Sequence, residues 1–488
     1  MLILATILVP VIAGIIISVL DMEDKKRHPW YAGTIIATDI LGIFAMIKEG
    51  PLRLFSFAEG IDLYFEIDSL GKFFMIMVMI LYTCVIFYAF EYMQMEEREN
   101  VFFAFFIVSF GALLAVCMAG NLVTMYLCFE MATLTSMPLV LHEMTKDAVN
   151  AALKYLFYSI GGALLGLLAV FFVSYYSAET RFAFGGVLDI SRAAANEKVL
   201  LPVIFLGIIG FGTKAGMYPM HGWLPAAHPI APAPASALLS GIIAKAGVIA
   251  IIRLIYFSVG PDYIRGTWVQ YAWMTLCMLT IFMGSMMAFR EKVTKKRLAF
   301  STISQISYIN LGLSLLSIEG LRGGLLHVAA HAASKGCLFL CAGVFIYKLG
   351  KRRVSELKGI GKLMPITMWC FLIASLSLVG IPPMGGFTSK WHIALAAIGD
   401  GMGIYAVLPP IILLISALLT AGYLLPVVVD AFFPGHEESE HGKPAGKSEK
   451  EQEESREPTA LMWVPMIVLC LVALFVGVFG TNLVTMII

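Results

Sequence analysis

The chain contains 488 residues, of which 59% are apolar and 14% are charged, and its mean hydropathy is +0.86. An ordinary soluble protein is nearer half apolar and about a quarter charged, so this composition excludes that class and favours a polytopic membrane protein. A formal net charge of +1 gives no electrostatic support to nucleic-acid binding.

Apolar runs bounded by charged residues, glycines and prolines predict an all-α membrane protein with about 14 transmembrane helices. Each such helix needs about 20 apolar residues, so the whole set would use roughly 280 and leave little for a soluble catalytic domain. Numbered 1 to 14 in chain order, the predicted spans are 2–20, 30–47, 70–92, 101–118, 120–142, 151–176, 200–222, 233–257, 268–289, 297–317, 323–348, 365–397, 403–433 and 460–487.

Lysine and arginine in the short loops predict how these spans are oriented. Loops after odd-numbered spans hold roughly twenty of them and loops after even-numbered spans about eight, and basic loops stay in the cytoplasm. The sequence therefore predicts a multi-pass protein of the cell membrane with both termini outside and the basic loops cytoplasmic. The segment 434–459 is rich in Glu, Lys, Gly and Ser, which predicts a mobile charged cytoplasmic loop, with partner docking as the alternative.

The informative residues are the ionisable ones inside predicted spans, where a charged side chain is costly and usually faces the bundle interior or a water path. Among them are Glu130 in span 5, Lys214 in span 7, Lys245 in span 8 and Lys390 in span 12. Such residues are the first candidates for an ion path through the membrane.

Span 11 adds a periodic set of titratable groups. His327, His331 and Lys335 are four residues apart, so they lie on one helix face with about 40° of drift per step. Histidine takes up and releases protons near neutrality, which favours a proton wire, and Ser334 adds a hydroxyl beside it. The alternatives are core histidines bonded to backbone carbonyls and, less favoured because no third ligand is near, a zinc site.

Spans 7 and 12 are predicted to be broken. Prolines, among them Pro219, follow Lys214, while Pro382, Pro383 and nearby glycines precede Lys390. Non-helical backbone at membrane depth is tolerated where protein or a water-filled cavity surrounds it. Broken helices are therefore typical of ion pathways, although a kink that serves packing alone is the alternative.

The two broken spans lie five helices apart. A repeat unit with an odd number of spans must cross the membrane in the opposite direction in its second copy, which predicts inverted repeats. The symmetry is imperfect because span 10 has no carboxylate to match Glu130. It offers polar groups instead: Ser301, Ser304, Gln305, Ser307, Tyr308 and Asn310.

Cofactor motifs are missing from the sequence. All eight cysteines fall inside apolar runs without the CxxC pairs of zinc or iron–sulfur sites, and no nucleotide motif stands between a strand and a helix. The two histidines on one helix face do not fit opposite sides of one haem. The sequence therefore predicts that this chain binds no cofactor and that any redox cofactor belongs to a partner.

Several segments resemble one known family. The stretch Gly212–Gly247, GTKAGMYPMHGWLPAAHPIAPAPASALLSGIIAKAG, resembles the signature of the antiporter-like membrane subunits shared by respiratory complex I, Mrp-type cation/proton antiporters and energy-converting membrane-bound hydrogenases. FEMATLTSMPL, HVAAHAASKGCLFLCAG and GIPPMGGFTSKW are similar to the same family, so the resemblance covers nearly the whole chain. The sequence around GMYPMHGWLPAAHP resembles the hydrogenase- and complex I-type members more than the Mrp-type members.

The resemblance implies a division of the chain and a role for each candidate. Two inverted five-helix half-channels would occupy 101–260 (spans 4–8) and 261–433 (spans 9–13), with three helices in 1–100, the charged loop in 434–459 and the last helix in 460–488. Glu130 would pair with Lys214, the central proton carrier, Lys245 would relay laterally, and Lys390 would be the terminal carrier. His327 and His331 would continue the axis, supported by Lys335, His221, Pro219 and Pro383, with His228 and His392 as lesser candidates.

The resemblance thus implies a proton-translocating subunit, or a Na⁺/H⁺-antiporting variant, within a multisubunit redox complex such as a membrane-bound hydrogenase. Its partners would be other membrane subunits and peripheral redox subunits that hold nickel–iron and iron–sulfur centres, and this chain would act as a translocase without a redox site. The alternatives are a subunit of a stand-alone Mrp-type antiporter and, less favoured, an independent solute permease.

Overall fold

The computed structural model describes residues 1–20, 23–58, 61–399, 401–434 and 456–487. The protein is mostly helical, as the sequence predicts. Most of the predicted charged loop 434–459 lies outside the described residues.

The helices are labelled in chain order. Those of the first half are α1 (Leu2–Val19), α2 (Asp24–Lys48), α3 (Ser69–Tyr92), α4 (Glu99–Met118), α5 (Leu122–Leu141), α6 (Lys146–Tyr176), α7 (Ile190–Ala194), α8 (Glu197–Lys214), α9 (Leu224–Ile230), α10 (Ala233–Leu238) and α11 (Lys245–Ile252). Two π-helical segments, Leu239–Ile243 and Arg253–Val259, flank α11, and a short 3₁₀ turn covers Met93–Met95.

The second half of the chain is also helical. Its helices are α12 (Pro261–Ile264), α13 (Trp268–Arg290), α14 (Thr294–Ser314), α15 (Ile318–Leu349), α16 (Pro365–Val379), α17 (Gly385–Gly399), α18 (Ile404–Phe432) and α19 (Ala460–Thr485), with a 3₁₀ turn at Val354–Leu357.

Within the described residues, 11 helical stretches are long and apolar enough to cross a membrane. Helices also occupy predicted spans 7, 10 and 12, but α8 carries three charged residues, α14 is rich in hydroxyl and amide side chains, and α16 has only 15 residues. These three helices are therefore more charged, more polar or shorter than the eleven apolar ones. The count of fourteen spans stays a prediction.

The helices that carry Lys245 and the two histidines of span 11 are the most deeply buried. The stretch Ala233–Val259 and helix α15 are almost completely buried, whereas α1 and α2 are largely exposed on the outside. Because polar side chains are costly against lipid, the helices that carry them are surrounded by apolar ones.

A small β-hairpin departs from the all-α prediction. Strands β1 (Leu52–Ala58) and β2 (Ile61–Phe65) pair antiparallel between α2 and α3, in a loop that hydropathy could not assign. Arg53 donates to Asp62 at 2.7 Å across the hairpin. A hydrogen bond from Ser56, together with the Arg53 charge, holds the pKa of the Asp62 carboxyl below its usual range.

Both predicted breaks are visible as interruptions between helices. Helix α8 ends at Lys214, and the chain turns through Gly216 at φ 74° before α9 begins. Lys214 was expected in the middle of a span, and this position is wrong: it is the last residue of its helix. The second interruption separates α16 from α17, where Gly380 adopts φ 91°.

Candidate functional site

Lys214 lies in a buried polar pocket between α5, α6 and α8. Its Nζ donates to Thr133 Oγ1 at 2.6 Å and to the Tyr155 hydroxyl at 2.9 Å, and that hydroxyl lies 2.8 Å from Ser136 Oγ. The Asn121 side chain caps the N-terminus of α5 by accepting a hydrogen bond from the Thr124 backbone amide at 2.8 Å. Lys214 is thus hydrogen-bonded to two neutral hydroxyl groups.

Glu130 lies one turn before Thr133 on α5. The carboxylate and the Lys214 ammonium interact electrostatically, but the described contacts contain no direct ion pair between them. Glu130 Oε1 is buried without a hydrogen-bond partner. The carboxylate and the ammonium are therefore neighbours that do not touch in this conformation.

Lys245 begins α11 just after a π-helical segment, Leu239–Ile243. The Ala244 amide bonds to the Leu239 carbonyl five residues earlier, and Lys245 Nζ donates to the Ser240 carbonyl in the same turn. The other contact of Nζ is His331 Nδ1 on α15, at 2.6 Å. Irregular π-turns of this kind occur often at functional sites.

His331 and His327 continue from Lys245 along α15. Their ring centres are 6.1 Å apart, and both side chains are completely buried. His327 Nδ1 lies 2.8 Å from Ser389 Oγ on α17, and His327 Nε2 lies 3.1 Å from Gln305 Oε1 on α14. His331 Nε2 is buried without a partner, so one nitrogen of this pair remains open to a proton donor or acceptor.

Lys390, on α17, is hydrogen-bonded to the C-terminus of α16. Its Nζ donates to the carbonyls of Leu378 at 2.6 Å and Val379 at 2.9 Å, at the C-terminus of α16. A helix C-terminus carries partial negative charge and stabilises a cation. The ammonium also lies 5.0 Å from the ring centre of Tyr308, whose ring is 5.3 Å from that of His327.

Lys335 and Ser334 do not continue the histidine row. Lys335 Nζ donates to the Leu298 carbonyl on α14 at 3.1 Å, and Ser334 donates to the Ala330 carbonyl of its own helix. His331 contacts Lys245 on another helix instead of Lys335. The histidines lie side by side on α15, and their hydrogen-bond contacts reach Lys245 on α11 and Ser389 on α17.

The other sequence candidates are dispersed. His221 is half-buried and stacks on Tyr218 in the break after α8, beside Pro219, and Pro383 lies in the break before α17. His228 is buried with both ring nitrogens unpartnered, within electrostatic reach of Lys245, Lys295 and Lys335. His392 contacts Glu319 and lies 3.3 Å from Thr481, away from Lys390.

Other ionisable residues inside predicted spans were missed, among them Asp39, Arg253 and Glu91. Asp39 accepts from Thr83 at 2.6 Å, Arg253 donates to both Asp68 oxygens at 2.5 and 2.7 Å, and Glu91 accepts from Lys348 at 3.2 Å. The signal that could have found them is the one used for Lys214, a charged residue within an apolar run.

No group of three or more His, Cys, Asp or Glu side chains is placed to hold a metal ion in the part of the chain that the structure describes. The eight cysteines are free and buried. Cys337 and Cys470 bring their sulfurs to 3.6 Å between α15 and α19. They pack as small apolar residues among helices.

The fold is that of a multi-pass membrane protein with buried polar residues, and comparison with known families identifies its class. The family model described as "NADH:quinone oxidoreductase/Mrp antiporter, TM" matches residues 119–419, and "NADH-Ubiquinone oxidoreductase (complex I), chain 5 N-terminus" matches residues 57–103. The chain belongs to the antiporter-like membrane subunit family of complex I-, hydrogenase- and Mrp-type complexes.

Two relatives illustrate the range of this family. The chain is 32% identical over 436 residues to NADH-quinone oxidoreductase subunit N of Desulforudis audaxviator, which covers 87% of this chain and 83% of the relative. It is 34% identical over 354 residues to Hydrogenase-4 component B of Escherichia coli, covering 68% of this chain and 51% of that protein. The match to the second relative thus spans about half of its length.

Solved structures show the same fold. A chain of the membrane-bound sulfane sulfur reductase (MBS), an archaeal respiratory membrane complex, superposes with a TM-score of 0.82 at 21% identity, over 99% of this chain and 96% of that one. A chain of the Mrp complex from Dietzia sp. DQ12-45-1b gives 0.80 at 21% identity, over 99% and 95%.

Proposed function

We propose that this chain is the proton-translocating subunit of a multisubunit energy-converting redox complex such as a membrane-bound hydrogenase. The observation that carries the proposal is the run of contacts from Lys245 to His331, His327 and Ser389, which joins three helices inside the bundle. Its members exchange protons or relay them through a hydroxyl, and they lie where lipid is excluded.

Lys214 and Glu130 are proposed as the entry pair of the first half-channel. A hydrogen bond to a charged group contributes about 1.5–3 kcal/mol, and moving one charge across 100 mV costs about 2.3 kcal/mol. The two energies are comparable. Forming and breaking the Glu130–Lys214 contact would therefore be enough to load and discharge one proton against a membrane potential.

The two interrupted helices support a two-half-channel organisation. We propose that 101–260 and 261–433 act as inverted half-channels, with Lys214 at the end of α8 and Lys390, on α17, bonded to the last carbonyls of α16. Lys335, His221, Pro219 and Pro383 would support this path. Proton movement would couple to a redox reaction in partner subunits that hold nickel–iron and iron–sulfur centres.

A stand-alone Mrp-type antiporter is the second candidate. The chain is 25% identical over 447 residues to a Na(+)/H(+) antiporter subunit of Alkalihalophilus pseudofirmus, covering 88% of this chain and 87% of the relative. Metal analysis of the purified complex separates the two assignments. Nickel and iron in fixed ratio to this chain support the redox complex, and a complex free of both supports the antiporter.

Substitution of the entry pair tests transport itself. We expect Lys214→Ala and Glu130→Ala to abolish proton flux coupled to the complex's reaction, measured with a pH-sensitive dye in liposomes that contain the purified complex. Lys198→Ala is the matched control because Lys198 is exposed at the other end of α8. Coupled flux that survives in both test variants would exclude the proposed mechanism.

A further inference from the structure

The spacing of the two histidines on α15 continues to the start of that helix. Glu319, Gly323, His327 and His331 follow one another at intervals of four residues, so they form a stripe that turns around the helix by about 40° per step. Glu319 lies in the first turn of α15 and its side chain is 31% exposed, whereas both histidines are completely buried. The stripe therefore leads from the buried histidines to the surface of the bundle.

Gly323 is the position of this stripe that has no side chain, and α17 supplies one there. A Cβ at Gly323 would lie 3.2 Å from His392 Cβ, which places His392 one turn of α15, about 5.4 Å, from His327. His392 Nδ1 contacts Glu319 Oε1, and His392 Nε2 lies 3.3 Å from Thr481 Oγ1 on α19. His392 thus fills the gap in the stripe between His327 and Glu319.

Helices α15 and α17 meet through polar groups at two successive levels. Ser389 Oγ lies 2.8 Å from His327 Nδ1. Ser389 and His392 are three residues apart, so they share one face of α17. The first level is His327 with Ser389, and the second, nearer the surface, is Glu319 with His392. Groups that bind or relay a proton therefore continue from the buried histidines to the start of α15.

Arg322 shares the Glu319 carboxylate with His392. Arg322 Nη1 contacts Glu319 Oε2, three residues away on the same helix, which is an ordinary pair for the first turn of a helix. The histidine contacts the other oxygen, Oε1. The carboxylate therefore lies between a permanent cation and a group that is charged only when it holds a proton.

The other helices packed against α17 bring few charges to His392. Helices α16 and α19 contain no charged residue, and α18 contains Asp430 alone, at the end away from the loop that joins it to α17. The basic residues of α14 lie at its start, whereas its other end approaches α17. On α17 itself, Lys390 donates to carbonyls of α16. Within the described residues, the groups that can carry charge beside His392 are thus Glu319, Arg322 and His327 of α15.

We propose that Glu319 and His392 form the proton-release site at the outer end of the path through His331 and His327. The loop charges predict that the start of α15 lies outside. His392 takes the proton from His327 through a water molecule, which can link two polar groups that do not touch. The Glu319 carboxylate stabilises the imidazolium until the proton passes to surface water. This inference rests on the proposed function and names the residues of its exit.

Glutamine substitutions test whether the two side chains transfer protons. His392→Gln and Glu319→Gln keep hydrogen-bonding groups but hold no exchangeable proton near neutrality, so coupled proton flux in liposomes should fall at least about tenfold at wild-type incorporation. The matched control is His28→Gln, because His28 contacts Glu99 in a second histidine–carboxylate pair whose histidine is 15% exposed, against 14% for His392. Wild-type flux in both test variants, or an equal loss in the control, would overturn the inference.

Arg322→Gln separates a release site from a pair that only stabilises the fold. Without this cation Glu319 and His392 hold their proton more tightly, so release should need a higher pH. In liposomes whose lumen faces Glu319, the midpoint of flux against lumen pH should move up by about one pH unit. Lys198→Ala, which removes an exposed cation predicted on the same face, should leave the midpoint unchanged. An unmoved midpoint in Arg322→Gln would overturn the inference, whereas a wild-type complex without coupled flux would refute the proposed function.

Discussion

Lys214, Lys245 and Lys390 bind neutral partners rather than carboxylates, and this choice suits proton transfer. Hydroxyl groups such as those around Lys214 both donate and accept, so the neutral amine keeps its hydrogen bonds there. At Lys390 a neutral amine still has two N–H donors for two carbonyls. Both protonation states are therefore satisfied, whereas a tight ion pair would hold the lysine in its charged form.

Ser389 offers a test of the link between His327 and the second break. Ser389→Ala removes the hydroxyl that lies 2.8 Å from His327 Nδ1, a hydrogen bond that contributes about 1 kcal/mol, or roughly fivefold. We expect coupled proton flux to fall severalfold in liposomes that contain the complex. Ser334→Ala is the control, since Ser334 bonds only its own helix in the described contacts, and an equal loss in both variants would contradict the assigned role.

At the scale of elements, the break between α16 and α17 depends on the close approach of the two helix ends. A Cβ at Gly386 would lie 1.8 Å from the Ser377 carbonyl oxygen, so α17 packs its first turn directly on the last turn of α16. This contact brings Lys390 within reach of the α16 carbonyls. Gly386 thus allows α17 to pack closely against α16.

Gly386→Ala should therefore push α17 away from α16 and displace Lys390. We expect a loss of coupled flux and a lower melting temperature of the complex, corresponding to the typical cost of overpacking, about 1–3 kcal/mol. Gly399→Ala, at the other end of α17, meets nothing within 4 Å and should behave as wild type. Unchanged flux and melting temperature in Gly386→Ala would show that the contact is dispensable.

Sequence patterns predicted the helices well because apolar runs and their interruptions are local properties. The helix ends were harder: α8 ends at Lys214, and the chain turns through Gly216 before it reaches Pro219. The hairpin between α2 and α3 lacked a hydropathy signal.

The candidate site was predicted as a set of residues but not as a set of contacts. Lys245 and His331 are 86 positions apart, and packing decides which helix face meets which. Helical spacing suggested His331 with Lys335, whereas the fold joins His331 to Lys245. Asp39 and Arg253 were overlooked although their position in apolar runs marked them.

For the whole molecule, orientation decides the direction of transport. The loop biases predict that both termini lie outside, which would put Lys198 at the exterior and Lys292 in the cytoplasm. Both side chains are exposed, and the eight native cysteines are buried, which keeps background thiol labelling low.

Thiol labelling in intact cells tests that orientation. A membrane-impermeant maleimide should label Lys198→Cys in whole cells and Lys292→Cys only after permeabilisation, because the reagent does not cross the bilayer. The reverse pattern would invert the predicted topology and the direction assigned to each half-channel.

The central claim is that protons pass through the buried contacts around His331. His331→Gln keeps an amide oxygen to accept from Lys245 but cannot exchange a proton between two ring nitrogens. The decisive measurement is coupled proton flux in liposomes that contain the assembled variant complex. We expect the flux to fall at least about 100-fold, as for loss of a proton-transferring side chain, with the variant incorporated into the complex at the wild-type amount. Flux at the wild-type rate would contradict a proton path through His331.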